Sequence, residues 1–290
     1  MSIAFKQATV TPYQNLTVKP LAGALGAEIG GVDLSNPLDE ATRNEILQAF
    51  YEYLVIYFYD QDITPEQHIE FAKLFGELQR IKHMMSEEGY PDLQPVRRLP
   101  DEKTKVVGVS WHNDSTYMET PPATVAMRAI NVPEAGGDTL FANLYLAYET
   151  LSPKLRDMLC GLKAVHSATR LFGKGADQSR FNMNKMDPEE GDREVLHPVI
   201  RTHPVTGRKC LFVNSTYTRR FEGMTEEESQ PLLTYLYQHA SRPEFTCRVR
   251  WRNNMMLLWD NRCVYHHAVP DYQGQYRYLQ RVTTGGEIPV

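Results

Sequence analysis

The sequence lacks the features that mark several large classes of protein. No run approaches about 18 consecutive apolar residues, so no membrane span and no membrane partner are expected. Lysine and arginine number 31 against 36 aspartates and glutamates, and this absence of a basic surplus argues against nucleic acid as a partner. Over Met1–Gln14 no charged leader precedes an apolar run, so no secretory signal is expected and the expected location is cytoplasmic.

Cysteine is also scarce and scattered. The four cysteines are far apart in the sequence and form no Cys-x-x-Cys motif, which argues against a disulfide framework or a zinc ribbon. Without an export signal they are expected to be reduced thiols, most of them packed in the core. They are Cys160, Cys210, Cys247 and Cys263.

What is present is mainly a series of short β-type runs separated by turns. They dominate the chain after about Val106 and do not alternate regularly with helices, which disfavours a doubly wound parallel sheet. We therefore expect a mainly β fold with flanking helices, namely a sandwich or jelly roll. The clearest runs are Ala123–Ile130, Thr139–Phe141, Cys210–Asn214, Cys247–Trp251, Met255–Trp259 and Tyr276–Thr283.

Helix signals are concentrated in the first third of the chain and near residue 225. Apolar residues fall at helix spacing over residues 46–54, and Leu54–Tyr59 follows directly as a buried strand. Thr64–Gln67 predicts a helix start with a capping box and a proline at the first helical position. Thr225–Glu228 is a second capping box, and Pro231 is expected either to kink that helix or to delay its start.

Two long stretches are interpreted as loop insertions in a single domain that spans residues 1–290. The first runs from about Gln79 to Lys105, and the second from about Gly173 to Glu194. Loops of this length in a compact domain are usually lids or binding loops, although plain disorder is the alternative.

The histidines contain one candidate for a metal ligand pair. Only His112 and His68 have a carboxylate two residues on. His68 lies in a predicted helix, where residues i and i+2 face different directions, so it is interpreted as a solvated helix residue. On a strand the same spacing places both side chains on one face, and His112 with Asp114 would form two thirds of a 2-His-1-carboxylate triad.

The third ligand must come from elsewhere, and His266 and His267 are the candidates. Neighbours on a strand face opposite sides, so only one of them can join the triad, and spacing alone does not choose between them. Two ordinary histidines near a turn are the alternative.

A pair of arginines follows this segment. Arg277 and Arg281 share one face of a predicted strand, because their separation is even. Guanidinium groups beside an apolar run are costly unless they meet anions, and their planar fork suits a carboxylate or a sulfonate. Edge-strand charges that face water are the alternative.

The order of these motifs resembles the Fe(II)/2-oxoglutarate-dependent taurine/2,4-dichlorophenoxyacetate dioxygenase family. Some stretches look most like the branch that cleaves aryloxyalkanoates, and the taurine branch is nearly as close. The matching pieces are Trp111–Asp114, Pro121–Pro122, Gly136–Thr139, Leu211–Asn214, Trp259–Arg262, His266, Arg277 and Arg281.

This resemblance implies a double-stranded β-helix (jelly roll) and assigns roles residue by residue. His112, Asp114 and His266 match the metal ligands of the family. Arg277 matches the arginine that pairs with the distal carboxylate of 2-oxoglutarate, and Thr139 matches a threonine that binds the same cosubstrate.

The resemblance is looser for the prime substrate. Arg281 matches the arginine assigned to the anionic head of the substrate. Tyr217 and Gly108 stand where the taurine enzymes have a phenylalanine and an asparagine near the substrate. His83 lies roughly where they have a substrate-contacting histidine.

The implied function is hydroxylation of a small anionic substrate, an aryloxyalkanoate carboxylate or a taurine-like sulfonate, with collapse to a carbonyl product. Fe(II), 2-oxoglutarate and O2 are the implied cofactor and cosubstrates, with succinate and CO2 as products. A homo-oligomer is expected. A metal-dependent hydrolase on a β-barrel and a non-catalytic binding homologue are the alternatives.

Overall fold

The computed structural model describes residues 12–290. Most of the segment in which we looked for a secretory leader, residues 1–11, therefore lies outside the described residues. The described chain forms fifteen strands. They are β1 Thr17–Pro20, β2 Ala27–Gly30, β3 Val55–Phe58, β4 Gln94–Arg98, β5 Thr124–Asn131, β6 Thr139–Asn143, β7 Lys163–His166, β8 Val195–Pro198, β9 Ile200–Thr202, β10 Lys209–Leu211, β11 Thr218–Phe221, β12 Thr246–Val249, β13 Met256–Asp260, β14 Val264–Ala268 and β15 Arg277–Thr284.

The described residues also form seven α-helices and three short 3-10 helices, the latter at Lys73–Phe75, Gln178–Arg180 and Pro243–Phe245. None of them combines the length and the apolar character that crossing a membrane would require. The α-helices are α1 Glu40–Tyr53, α2 Pro65–Ala72, α3 Leu144–Glu149, α4 Pro153–Cys160, α5 Thr169–Phe172, α6 Pro188–Asp192 and α7 Glu226–Ala240.

The strands form the jelly roll that the sequence predicts. A seven-stranded sheet has the order β1-β2-β3-β13-β5-β15-β4, and its pairs are antiparallel except β2 with β3. Smaller sheets have the orders β12-β6-β14, β11-β7-β8 and β10-β9. One core fills the space between the seven-stranded sheet and the smaller sheets, and a second core lies under α1 and α2.

Side-chain alternation along the central strands explains these two cores. On β13, Leu257 and Trp259 belong to the core between the sheets, whereas Met256 and Leu258 belong to the core under the helices. Successive residues of a strand point to opposite faces, so a strand covered on both sides is apolar throughout. Because β13 is covered on both sides, its sequence is the continuous apolar run that predicted the strand.

Both predicted capping boxes are present. The hydroxyl of Thr64 accepts from the amide of Gln67, and the amide of Thr64 donates to the side-chain oxygen of Gln67. Pro65 is the first residue of the helix. Thr225 and Glu228 form the same two bonds at the start of α7. Because α7 begins directly after Thr225, the expectation that Pro231 delays its start is wrong.

The interpretation of His68 as a solvated residue is also wrong. His68 is fully buried, and its Nε2 lies 3.2 Å from the carbonyl oxygen of Ala126. The helix α2 packs against β5 and β15, so this face of the helix is covered by the sheet. Sequence spacing within the helix gave no sign of what would cover it.

The two predicted loop insertions are partly ordered and are joined to each other. The first contains β4, which is the edge strand of the seven-stranded sheet, and the second contains α6. The amide of Asn184 donates to the carbonyl of His83 at 3.0 Å, and its side chain donates to that of Met84 at 3.3 Å. The amide of Lys105 donates to the carbonyl of Arg180 at 2.7 Å. We call residues 79–105 the first loop and residues 173–194 the second loop.

Candidate active site

His112 and His266 lie directly opposite each other on neighbouring backbone segments. Each amide donates to the carbonyl of the other residue, at 3.1 and 2.9 Å. Residues paired in this way project to one face, and their ring centroids are 4.1 Å apart. His267 points the other way and contacts Trp111 at a centroid distance of 5.5 Å. The structure therefore brings His266, and not His267, beside His112.

Asp114 reaches this pair from a turn. His112 forms only an isolated bridge, and Asp114 begins a turn in which Ser115 adopts a left-handed φ of 52°. The strand that we expected over residues 112–114 is therefore wrong, yet the side chains still converge. Nε2 of His112 is 3.5 Å from Oδ1 of Asp114, and Nε2 of His266 is 3.7 Å from Oδ2.

The electrostatics of the three groups favour metal binding. All three are buried, and one potential ligand atom from each lies within 4.8 Å of the others. Burial alone would raise the pKa of Asp114, but the neighbouring Arg281 and His266 hold it below its ordinary value. Burial and the neighbouring His112 lower the pKa of His266 to about 3. An ionised carboxylate with a neutral imidazole is the state that a metal ion requires.

Two further contacts test whether these residues suit a metal. Nδ1 of His112 lies 2.7 Å from the carbonyl oxygen of Ser110. Since a carbonyl only accepts, Nδ1 carries the proton and the Nε2 lone pair is free to bind a metal. Oδ2 of Asp114 is buried and accepts no well-aligned hydrogen bond, and its only close charged neighbour is Nη2 of Arg281 at 3.1 Å. The donor set and this oxygen fit a divalent cation.

Two asparagines fix the turn that carries Asp114. Asn261 accepts from the amide of Asp114 at 2.7 Å and donates to the carbonyls of Asp114 and Pro122 at 3.1 and 2.9 Å. Asn113 donates to the carbonyls of Asn261 and Val264 at 2.8 and 3.0 Å. Both side chains are buried, so the turn is tied to the segment that leads to His266.

A cavity of about 150 Å³ opens beside the three groups, which all contribute to its wall. Arg277, Thr139 and Arg281 also line this cavity.

Arg277 and Thr139 lie together at one side of it. The indole Nε1 of Trp251 donates to the hydroxyl of Thr139 at 3.0 Å, so the hydroxyl proton of Thr139 is free for another acceptor. The Arg277 guanidinium lies 5.3 and 5.9 Å from the ring centroids of Tyr272 and Trp251 and donates to the carbonyl of Gly137. Nε of Arg277 is buried without a partner, which suits a carboxylate ligand.

Arg281 occupies the same face of β15, four residues further on. Its Nη2 lies 3.1 Å from Oδ2 of Asp114. The strand β15 runs between β5 and β4 in the interior of the sheet, and both arginines are buried. The alternative that they are edge-strand charges facing water is therefore wrong.

The three residues that the resemblance relates only loosely to the substrate, Gly108, His83 and Tyr217, lie at different places in the structure. Gly108 lines the cavity, and a Cβ added there would lie 3.4 Å from Cε1 of His112. The Nδ1 atom of His83 lies 3.0 Å from the hydroxyl of Tyr117, and His83 lines a second cavity of about 200 Å³. Tyr217 is buried beside Tyr117, at a ring-centroid distance of 5.2 Å. Only Gly108 of these three predicted positions contributes to the wall of the main cavity.

A second group of three potential ligands has a different character. His203, Asp260 and Cys263 converge in the core. Both oxygens of Asp260 are already bonded by the guanidinium of Arg262, at 2.8 and 2.7 Å, and Oδ2 also lies 2.9 Å from His203. The Asp260 carboxylate is thus neutralised by protein groups, and we interpret this cluster as structural.

Sequence reasoning missed several residues of the site. Asn113 and Asn261 belong to the motifs given above, but the sequence assigned them no role. Their hydrogen bonds join segments far apart in the sequence, and such bonds leave no local pattern. Trp251 and Tyr272 were not associated with Arg277, since they precede it by irregular intervals. Met85 and Met183, which also line the cavity, were missed because they lie on loops that have no sequence period.

A jelly roll that places two histidines, a carboxylate and two buried arginines at one cavity defines a class of metal-dependent oxygenases. The family model described as "Taurine catabolism dioxygenase TauD, TfdA family" matches residues 17–283. The chain belongs to this family, and it is an alpha-ketoglutarate-dependent dioxygenase (alpha-ketoglutarate is 2-oxoglutarate).

Individual proteins agree with this assignment. The alpha-ketoglutarate-dependent sulfate ester dioxygenase of Pseudomonas putida is 35% identical over 98% of this chain and 94% of its own length. The alpha-ketoglutarate-dependent 2,4-dichlorophenoxyacetate dioxygenase of Cupriavidus pinatubonensis is 31% identical over 93% and 98%. The crystal structure of a taurine dioxygenase from Burkholderia xenovorans matches 96% of this chain and 93% of its own at a TM-score of 0.81 and 34% identity.

Proposed function

We propose that this chain binds Fe(II) through His112, Asp114 and His266 and hydroxylates a carbon atom of a small organic anion. The observation that carries the proposal is the convergence of these three side chains at the wall of a cavity that also contains two buried arginines. Three protein ligands on one face leave the remaining positions of the metal open for other ligands, as non-haem Fe(II) oxygenases require.

Arg277 and Thr139 are the residues that would hold 2-oxoglutarate. The unpartnered Nε of Arg277 offers a charge-assisted bond to the distal carboxylate, and the free hydroxyl proton of Thr139 offers a second bond. Trp251 orients that hydroxyl and forms one wall. These contacts would hold the cosubstrate by its distal carboxylate.

Arg281 is the residue that would hold the anionic head of the substrate. Its guanidinium faces the cavity from the same strand face as Arg277 and is already beside the Asp114 carboxylate. A sulfonate, a sulfate or a carboxylate matches its fork. The relatives from P. putida and C. pinatubonensis are named for such anionic substrates, a sulfate ester and an aryloxyalkanoate.

When bound, the metal and 2-oxoglutarate supply the oxidising power, with O2 consumed and succinate and CO2 released. The chain contributes binding, orientation and exclusion of water. If the hydroxylated carbon bears oxygen or sulfur, the hydroxyl product eliminates that group and becomes a carbonyl compound. The two loops are bonded to each other, and both contribute residues to the cavity wall, so they are the parts of the chain that would exclude bulk water.

The experiment that tests this proposal is an assay of O2 uptake and succinate formation. Protein reconstituted anaerobically with Fe(II) is mixed with 2-oxoglutarate and a panel of sulfonates, sulfate esters and aryloxyalkanoates. Succinate that depends on Fe(II), O2 and one of these anions is expected. A hydrolase using zinc would release product without O2, and a binding homologue would form no succinate in any combination.

A further inference from the structure

The turn that carries Asp114 is also held by a second group of buried polar residues. Thr116 follows Asp114 at the second position along the chain and is fully buried. Its hydroxyl oxygen accepts from the side-chain amide of Asn214 at 3.0 Å and lies 2.9 Å from Nδ1 of His166. Its carbonyl oxygen lies 2.9 Å from Nε2 of His197. We call Thr116, His166, His197 and Asn214 the Thr116 network.

The other three members of the network belong to the sheet β11-β7-β8 and to the segment just before β11. His166 is part of β7 and His197 of β8, and Asn214 precedes β11. All three are at most 1% exposed. Asn113 and Asn261, in contrast, tie the turn to the segment before β14. The turn is therefore anchored to two separate parts of the jelly roll.

The charge states of the two histidines define the bonds of the network. Burial lowers the pKa of His197 to about 4 and places that of His166 well below its ordinary value, so both rings are neutral at pH 7. Nε2 of His197 faces the carbonyl oxygens of Thr116 and Met118, at 2.9 and 3.0 Å. Since carbonyls only accept, this nitrogen carries the proton. The bond between Thr116 and His166 forms in either tautomer, because a hydroxyl can donate or accept.

The backbone between the two anchors has an unfavourable conformation. Ser115 follows Asp114 directly and has a left-handed φ of 52°. A residue with a side chain rarely adopts this conformation, which persists only where the surroundings impose it. The bonds of Asn261 hold the chain on one side of Ser115, and those of the Thr116 network hold it on the other. Loss of either set would allow Ser115 to relax and would move the Asp114 carboxylate.

On the basis of the proposed function, we propose that Thr116 is a positioning residue for the metal ligand Asp114. His166, His197 and Asn214 support it from behind the cavity, since none of the four contributes to the cavity wall. Binding groups need to lie within about 0.5 Å of the productive geometry, so a turn that has lost the network should bind metal more weakly. The network thus sets the position of the Asp114 carboxylate before any ligand enters.

Thr116→Val and Thr116→Ser form a matched pair for the test, because only the first removes the hydroxyl. Titration with Mn(II) measures metal affinity, and the absorption spectrum with Co(II) reports the ligand geometry, both without turnover. Thr116→Val should weaken Mn(II) binding by about tenfold or more and change the Co(II) spectrum. Thr116→Ser should recover most of the affinity and the wild-type spectrum. Wild-type affinity and spectrum in Thr116→Val would overturn the inference.

Thr150→Val controls for a general loss of stability. Thr150 is also bonded to a histidine, because its hydroxyl lies 3.1 Å from Nε2 of His239, and it also donates to the carbonyl of Leu146 at 2.6 Å. It ends α3, away from the cavity wall. Urea unfolding should show that both valine variants are destabilised, whereas Mn(II) affinity should fall only in Thr116→Val. An equal fall in both variants would show that the network acts through stability alone.

Two further measurements keep the inference testable if Thr116→Val does not fold. His197→Phe retains a ring but removes the bond to the Thr116 carbonyl, and it should weaken Mn(II) binding in the same way. In the wild-type protein without metal, the amides of Asp114 and Met118 both donate hydrogen bonds and should exchange slowly with solvent. Exchange as fast as that of exposed loop amides would contradict a fixed turn.

Failure of the proposed function has a different signature. Wild-type protein that binds neither Mn(II) nor Co(II) would contradict the metal site and the inference with it. Normal metal binding by wild type, Thr116→Val and His197→Phe alike would leave the metal site in place and contradict the inference alone.

Discussion

At the scale of single residues, the site depends on which groups are left without a partner. Nε of Arg277 is buried without a partner, and Oδ2 of Asp114 is buried with only its ion-pair contact to Arg281, whereas most buried polar atoms are hydrogen-bonded. Leaving such atoms unpaired costs stability in the empty protein, and ligands recover that cost when they bind. These two atoms support the proposed positions of the metal and of the cosubstrate carboxylate.

Replacement of Asp114 by alanine is expected to abolish metal binding. Only two imidazoles would remain, and Arg281 would lose its partner and face the metal position with an uncompensated positive charge. Metal content after anaerobic reconstitution and dialysis should fall to background. Asp62→Ala is the matched control, since Asp62 is an exposed partner of a different arginine. Retention of one metal per chain in Asp114→Ala would contradict the assignment.

The two arginines are expected to have separate roles. Arg277→Ala should weaken 2-oxoglutarate binding by about 2–5 kcal/mol, because a buried anion would lose its partner. Arg281→Ala should instead raise KM for the prime substrate and leave that for 2-oxoglutarate nearly unchanged. Steady-state kinetics with each substrate varied in turn measures both effects, and the exposed Arg252→Ala serves as the control. Equal effects of both substitutions on both ligands would refute this division.

At the scale of elements, the site joins a turn to a strand pair. The asparagine side chains of residues 113 and 261 replace the backbone ladder that a continuous strand would have provided. The prediction that placed His112 and Asp114 on one face of a strand therefore selected the right two residues. The structure has a turn at Asp114 and not a strand. The backbone around Asp114 is fixed by hydrogen bonds to residues far away in the sequence. Such bonds leave no periodic pattern in the sequence.

Asn261→Ala is expected to release this turn. Three buried backbone groups would lose their partners, which should lower the free energy of unfolding by about 2–4 kcal/mol. Metal affinity should fall by about tenfold or more, since the Asp114 carboxylate would no longer be held in place. Urea unfolding and metal titration measure the two effects. Asn253→Ala removes an exposed bond to the amide of Val132 and should change stability by less than about 1 kcal/mol and leave metal affinity unchanged.

The sequence predicted local structure better than long-range contacts. The capping boxes at Thr64 and Thr225 and the strand at β13 depend on neighbouring residues, and the structure confirms them. The burial of His68 depends on a sheet formed almost 60 residues later, and no local pattern contains that information. The convergence of His112, Asp114 and His266 was predicted through the family resemblance rather than through spacing, which left His266 and His267 undecided.

At the scale of the whole molecule, buried neutral histidines link stability to pH. Burial lowers the pKa of His68 to about 3 and that of His197 to about 4, and it places that of His166 well below its ordinary value. In the unfolded chain these groups bind protons near pH 6.5. Between the two pKa values the unfolded state binds more protons than the folded state, so stability falls as the pH falls below 6.5.

His68→Gln should reduce this dependence. Lowering the pH from about 7.5 to about 5.5 is expected to cost about 1.4 kcal/mol for each such histidine, and the variant should lose one such contribution. Urea unfolding at both pH values measures the difference between wild type and variant. The same pH dependence in both proteins would show that His68 is not responsible.

The hydrogen bonds between the two loops have a consequence for engineering new specificities. Backbone groups of one insertion hold the backbone of the other, so neither can change its path while its counterpart stays in place. A chimera that receives only one insertion from a relative should therefore lose turnover without acquiring the donor's preference. Both segments must be exchanged together for selectivity to be transferred.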